Sequence, residues 1–345
     1  MTRTYYRPLG LCYGADAEQL IAQRRAGCLG GNAKLGFTFV ERIVRDGASI
    51  TRKIIPYTDF LPAIEAPRVS FAGLSMDSPR IMGIVNVTPD SFSDGGLYGT
   101  SEAGASRGLA LAAEGAHILD VGGESTRPGS DTIPVEEELS RVIPAVKRLS
   151  DAGHVVSVDT RKAVVMREAV KAGAVVVNDI SGLQYDPESL RTVAELKVPV
   201  VLMHAQGDPR TMQLNPHYDD VALDVYDHLE QRVMACVHAG IPCSHIAIDP
   251  GIGFGKTFHH NLELLHQISL FHGLGVAVLV GLSRKGFVGA LTGEKNAGSR
   301  VHGSVGGAVE AALNGVHILR VHDVKATAEA LAVALAARDP RSTEF

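Results

Sequence analysis

The sequence predicts an α/β protein: a closed (β/α)8 barrel of the TIM type, preceded by an N-terminal, partly β extension. Apolar strand-like runs alternate with Ala- and Glu-rich helical runs eight times in succession, which is the pattern of a parallel barrel. An open doubly wound sheet would carry a Gly-rich dinucleotide fingerprint after its first strand, and none is present. The chain has 345 residues, is 45% hydrophobic, and has only 5% aromatics and no Trp. That composition suits parallel strands and closely packed helices better than an aromatic-rich sandwich.

Residues 1–68 stand apart from the alternation and form the extension, whose role the sequence does not reveal. A short helix is expected over 16–25. Phe37, Phe39, Glu41 and Ile43 alternate with other residues ahead of Asp46-Gly47, which predicts a hairpin with an Asp-Gly turn. Gly30-Gly31-Asn32-Ala33-Lys34 resembles a phosphate loop but lacks the Gly-Lys-Ser/Thr ending. The barrel domain is placed at 69–338. A second hairpin is expected over 69–80, turning at Met76-Asp77-Ser78-Pro79 and leading into the first barrel strand. Strands are expected near 81–86, 117–121, 154–159, 174–178, 198–203, 245–249, 276–282 and 316–322. Helices follow near 102–114, 135–150, 161–171, 188–196, 219–239, 259–270, 299–314 and 324–338. Residues 339–345 read as a polar tail.

A chain of this size can bury a sizeable core without metal or disulfide support. A net charge of −5 argues against a broad nucleic-acid-binding face. Cys12, Cys28, Cys236 and Cys243 form no C-x-x-C pair, so neither a zinc ribbon nor a redox motif is indicated, and a reducing cytoplasm is expected. No signal-peptide core and no membrane-spanning run is found.

In such a barrel the active site gathers at the C-terminal ends of the strands. Those ends carry Asn86, Asp120, Asp159, Asn178, Met203-His204, Asp249, Ser283-Arg284-Lys285, and Arg320 with His322. One Asp in such a place caps a helix. Polar residues at all eight ends describe a ring around one mouth. Its carboxylates and amides suit a metal or a ligand rich in N–H groups. Arg127, Arg284, Lys285, Arg320 and His322 suit a phosphate or carboxylate. The oxygen donors suit Mg²⁺ sharing phosphate oxygens, and no His/Cys cluster offers a zinc site. His204, His302 and His317 read as packing or surface residues.

Two loops add to the ring. Asn86-Val87-Thr88-Pro89-Asp90-Ser91-Phe92-Ser93-Asp94-Gly95-Gly96 is a polar, glycine-ended loop able to fold over a ligand. The segment from Asp120 to Ser130 brings glycines for close backbone approach, with Thr126 and Arg127 as donors. The Gly251–Thr257 segment ends like a Walker A motif, but the motif's first glycine would fall at Pro250. It reads as a tight strand-to-helix turn with Asp249 aimed inward and Phe254 lining a pocket.

Together these stretches resemble the dihydropteroate synthase family of pterin-binding barrels. The resemblance rests on MGIVNVTPDSFSDGG, ILDVGGESTRPGS, VSVDTRK, VVVNDISGL, VLMHAQGDPRTMQ, AIDPGIGFGKT, VGLSRKGFVG and ILRVHDV, in family order over about residues 69–338. It implies condensation of 6-hydroxymethyl-7,8-dihydropterin diphosphate with p-aminobenzoate, giving 7,8-dihydropteroate and pyrophosphate. By that resemblance Asn86 helps hold Mg²⁺ and the diphosphate, which Arg320, His322, Thr126 and Arg127 also bind. Asp159, Asn178, Asp249 and Lys285 grip the pterin edge with support from Asp120. Met203 and Phe254 line the ring faces, while Phe92, Asp94 and Pro128 close over the reacting centre. Asp94 and Asp159 stabilise a pterin methylene cation, and Lys285 and Arg127 complete the catalytic set. A homodimer is implied, as is inhibition by sulfonamides that mimic p-aminobenzoate. One position departs from the family: Gly286 stands where Ser commonly follows the Arg-Lys pair, which implies a weaker or altered hold on p-aminobenzoate and sulfonamides. The competing readings are a pterin-binding paralogue without synthase activity and a methyltetrahydrofolate-corrinoid methyltransferase. The first would show losses among the motif residues, and the second has no need of the two loops.

Overall fold

The computed structural model describes residues 2–58, 62–68, 70–88, 97–125, 130–207 and 211–340. The extension contains more β structure than its composition suggests. Strand β1 (Thr2–Tyr13) pairs antiparallel with β3 (Leu35–Asp46), which also pairs with β4 (Ser49–Pro56) and the short β2 (Gly27–Cys28). The expected Asp46-Gly47 hairpin is present, with Asp46 opposite Ser49 and Gly47 at φ +58°. Strand β1 escaped the sequence reading because its buried residues, Tyr5 and Pro8, do not alternate. Helix α1 (Gly14–Ala22) starts earlier than expected.

The second hairpin is β5 (Ser70–Phe71) and β6 (Leu74–Ser75), and its turn is Ala72-Gly73, not Met76–Pro79. Both turn residues have positive φ, +51° and +77°, as a tight two-residue hairpin requires. The Asp-Ser-Pro segment instead carries the chain from this hairpin to the barrel.

Eight parallel strands close the barrel: β7 (Arg80–Asn86), β8 (Ile118–Gly122), β9 (Val156–Asp159), β10 (Val176–Asp179), β11 (Val200–Met203), β12 (Ile246–Asp249), β13 (Ala277–Val280) and β14 (Ile318–Val321). Their helices are α2 (Leu97–Ala113), α3 (Val135–Asp151), α4 (Ala163–Lys171), α5 (Ser189–Leu196), α6 (Val221–His238), α7 (Phe258–His266), α9 (Val301–Leu313) and α10 (Val324–Arg338). A further short helix, α8 (Gly286–Thr292), lies between β13 and α9 and was not anticipated. Its two glycines and seven residues give too short a periodic signal to read.

Alternation along each strand sets what the barrel encloses. Met82, Ile118, Val176, Val201, Ala247, Leu279 and Ile318 fill the interior, with Phe71 and Met76 of the hairpin segment packed against the same cluster. Two residues further along, the same inward register presents Asp120, Asn178, Met203, Asp249 and Arg320. The apolar layer is therefore the floor on which the polar ring stands.

The extension docks on α6 and on the helical turn Ile268–Leu274. Tyr5 donates to Asp227 at 3.0 Å and meets Tyr226 edge-on. Arg45 reaches Asp224 at 2.6 Å, and Arg52 reaches Asp220 at 2.7 Å. Among the described residues no helix is long and apolar enough to cross a membrane.

Candidate active site

The mouth is organised by Arg320, on β14. Its Nε donates to Asp120 Oδ2 and its Nη2 to Asp159 Oδ2, each at 2.6 Å. Asp120 is fully buried, and Asn178 Nδ2 donates to the same Oδ2 at 3.0 Å. The other carboxylate oxygen, Asp120 Oδ1, is buried without a hydrogen-bond partner among the described residues. Burial disfavours charge on Arg320, but Asp120 and Asp159 more than offset this and raise its pKa. Burial pushes the Asp159 carboxyl upward, and Arg320 opposes it. Strands from four points of the barrel thus supply one buried ionic cluster, in which charge-assisted hydrogen bonds offset desolvation.

Asp249 projects from the end of β12, and its Oδ1 accepts the Gly251 N–H at 2.7 Å. That turn needs glycine: Gly251 has φ +68°, and a Cβ there would lie 1.9 Å from the His204 carbonyl oxygen. Burial raises the Asp249 pKa to about 6, with the Gly251 N–H and Lys285 opposing. Lys285 lies over the Phe254 ring at 3.9 Å from its centroid. Burial, then repulsion from Arg320, lowers its pKa to about 8. A side chain at Gly253 would crowd Lys285, with Cβ 2.9 Å from Cδ. Met203 and Phe254 share a small apolar cluster with Ile180 and Met212. This forms a greasy wall beside the charged one.

On the other side, Asn86 ends β7, half-buried, and the structure gives its side chain no hydrogen bond among the described residues. His322 is held neutral. Burial and then Arg284 lower its pKa to about 3. The Ser283 hydroxyl takes the His322 backbone N–H at 3.2 Å and lies 3.1 Å from Nδ1. With the hydroxyl donating to Nδ1, Nε2 carries the proton, so His322 offers a hydrogen bond to an anion and no positive charge.

The structure therefore gathers Asp120, Asp159, Asn178, Asp249, Lys285 and Arg320 around one mouth, with Met203 and Phe254 beside them. Arg284 does not join the anion-binding group. Its guanidinium grips Asp323 at 2.5 and 3.0 Å. Phe92, Asp94, Thr126, Arg127 and Pro128 lie outside the described residues. His204 and His317 are buried and His302 is exposed, as packing and surface residues should be.

Sequence reasoning missed two buried networks behind the ring. Glu124 accepts Arg161 at 2.9 Å, Lys162 at 2.7 Å and the Ile133 N–H at 3.1 Å. Lys162 also reaches Glu138 and the Ile133 carbonyl, at 2.7 and 2.6 Å. These bonds tie both stems of the 124–133 loop to the segment just after Asp159. Arg161-Lys162 directly following Asp159-Thr160 was the available signal. In the second network Lys256, fully buried, lies 2.9 Å from His204 Nδ1 and donates to the Phe254 carbonyl at 3.0 Å. It braces the turn that presents Phe254.

Residues 82–322 match the model of the pterin binding enzyme family. The dihydropteroate synthase of Escherichia coli (strain K12) is 47% identical over 263 residues, which is 75% of this chain and 92% of that protein. The solved structure of Xanthomonas albilineans dihydropteroate synthase with 4-aminobenzoic acid is 51% identical, with a TM-score of 0.73 over 79% of this chain and 96% of that one. The Xanthomonas albilineans enzyme in complex with 7,8-dihydropteroate gives 48% identity and a TM-score of 0.70, covering 79% and 97%. At such identity, over nearly the whole length of these relatives, the chain belongs to the dihydropteroate synthase family.

Proposed function

We propose that the chain condenses 6-hydroxymethyl-7,8-dihydropterin diphosphate with p-aminobenzoate to 7,8-dihydropteroate and pyrophosphate. The observation that carries this reading is the Asp120–Asp159–Arg320 cluster, whose Asp120 Oδ1 has no partner among the described residues. A buried carboxylate oxygen without a donor is costly. A heterocycle edge rich in N–H groups supplies donors at that depth, and Met203 with Phe254 offers its faces an apolar wall. Asp249 and Asn178 add acceptors at the same level, and Lys285 adds a donor.

In the proposed reaction the pterin carbon–oxygen bond breaks, and its electron pair leaves with the diphosphate. Arg320 uses Nε and Nη2 on carboxylates, which leaves Nη1 for a diphosphate oxygen, and His322 Nε2–H is a second donor. The methylene cation left behind is stabilised through space by Asp159 and by Asp94. The neutral arylamine then forms the carbon–nitrogen bond and loses its proton to solvent or departing pyrophosphate. No strong general base is needed, in keeping with the absence of a nucleophile–histidine pair in the motifs. Thr126 and Arg127 would add contacts to the diphosphate, while Phe92 and Pro128 would shape the p-aminobenzoate side.

The residues present fit Mg²⁺. The half-buried Asn86 amide oxygen, without a partner among the described residues, suits an ion that keeps several waters and shares substrate phosphate oxygens. When bound, that ion neutralises charge on the leaving diphosphate. A cytoplasmic homodimer belongs to the same reading.

The deciding experiment is pyrophosphate release from purified protein with the dihydropterin diphosphate and Mg²⁺, with and without p-aminobenzoate. Release matched by dihydropteroate formation is expected. Pterin binding with no release at any p-aminobenzoate concentration would support a binding paralogue instead.

A further inference from the structure

The synthase reading leaves unused the extension and its Gly30-Gly31-Asn32-Ala33-Lys34 turn. The extension lies along α6, and this turn meets the barrel at the end opposite the mouth. Between that turn, the segment entering β7, the residues entering β14 and the end of α10 lies a cleft of about 530 Å³. Small-ligand sites run roughly 300 to 1,000 Å³. Its body is apolar, formed by Leu29, Leu35, Met76, Val316 and Leu335.

The charges in its walls are unequal: Lys34, Arg68 and Arg338 face Asp77 and Asp339. The two terminal nitrogens of Arg68 are already committed, donating to the carbonyls of Ala63, Ile64, Ala66 and His272 at 2.5 to 3.0 Å. Among the described residues Lys34 and Arg338 are held more loosely. Lys34 Nζ is 3.7 Å from Asp339, at the outer limit of an ion pair, with its side chain 56% exposed. Arg338 lies over the Tyr13 ring, 5.3 Å from its centroid, and is exposed. Gly30, at φ +63°, keeps the wall open, since a Cβ there would lie 3.2 Å from Arg68 Cδ. His272 and His317 are held neutral by burial and add no charge.

We propose that this cleft binds a small organic anion, a carboxylate, sulfonate or phosphate carried on an apolar body, with Lys34 and Arg338 at the anion and the aliphatic walls around the body. The site is built jointly by the extension and the barrel, and it does not depend on the synthase reading.

The test uses the full chain and 8-anilinonaphthalene-1-sulfonate as the probe, followed by fluorescence titration. One saturable site is expected, weakened at least about tenfold by Lys34→Glu through loss of a charge-assisted contact. Filling the cleft with Ala336→Trp should also abolish the signal, whereas the mouth variant Arg320→Met should retain it. The uncharged analogue N-phenyl-1-naphthylamine should bind about tenfold more weakly than the sulfonate. Binding that survives Lys34→Glu, is lost in Arg320→Met, or is equal for the uncharged analogue would overturn the proposal. Lys34 is exposed, so its variant decides the matter even where Ala336→Trp does not fold.

Discussion

Two arginines, one near each end of the barrel, are placed in opposite ways. Arg320 at the mouth meets carboxylates, and Arg68 at the base meets backbone carbonyls. Burial lowers the Arg68 pKa to about 10, with no opposing charge. At Arg320 the carboxylates win over burial and raise it. Arg68 holds the chain together through Nη1 and Nη2, since each of its acceptors is a neutral main-chain oxygen. The Arg320 cluster retains capacity, because one oxygen of Asp120 has no donor among the described residues. Arg68 Nε is also buried without a partner among the described residues, so what separates site from joint here is the chemistry of the partners, carboxylates at the mouth and main-chain carbonyls at the base.

Arg320→Met breaks the mouth side of this comparison and should have the largest effect. It leaves Asp120 and Asp159 buried without their cation and removes a donor from the leaving group. We expect kcat/KM for dihydropteroate formation to fall about 10³-fold. A fall of less than tenfold would show that the cluster is architectural, as at Arg68.

Arg68→Met is the mirror test. Four carbonyls lose their donor, so unfolding free energy should drop by about 3 kcal/mol, measured by urea denaturation. The kcat/KM of the folded protein should stay within about twofold, because the substitution lies at the far end of a rigid barrel. A large catalytic loss without destabilisation would dissolve the distinction between the two ends.

How much of this was legible follows the same physics. The mouth could be read because strand alternation is strict in a closed barrel and places Asp120, Asn178, Asp249 and Arg320 in one layer without knowledge of the loops. The base could not. Strand β1 shows no clean period because both its faces are partly covered, and Arg68 looks like any linker arginine until the fold folds His272 beneath it. In the Glu124–Lys162–Glu138 network the Arg161-Lys162 pair gave a signal but its partners did not, since charges this far apart in sequence meet only when the barrel closes. His322 was visible as a residue but not as a neutral one, because its protonation depends on burial and on Arg284.

The pH profile sharpens the comparison further. Asp249, raised by burial to about 6, must be ionised to accept a pterin N–H. Lys285, lowered by burial to about 8, must be protonated to donate. Towards acid the first condition fails and Asp159, also raised by burial, loses its charge, and above about 8 the second condition fails, so kcat/KM for the pterin diphosphate should be bell-shaped. Lys285→Arg should abolish the alkaline limb, because a guanidinium stays charged there, while lowering the plateau through lost fit over Phe254. A limb that stays near 8 in that variant would assign it to another group.

The smallest effect is expected at Gly286, the first residue of α8. A Cβ at that position would lie 3.5 and 3.7 Å from the Phe258 ring, which is ordinary contact, so Gly286→Ser should fold normally. Without a side chain, Gly286 can hold the p-aminobenzoate carboxylate only through backbone N–H groups at the helix start. Serine adds one hydroxyl donor, worth about 1 kcal/mol and hence roughly fivefold in affinity. KM for p-aminobenzoate and the inhibition constant of a sulfonamide should fall together, with kcat and the pterin KM unchanged. Unaltered affinity for both would mean that the carboxylate is held elsewhere. The missing hydroxyl would then be a neutral feature of this mouth.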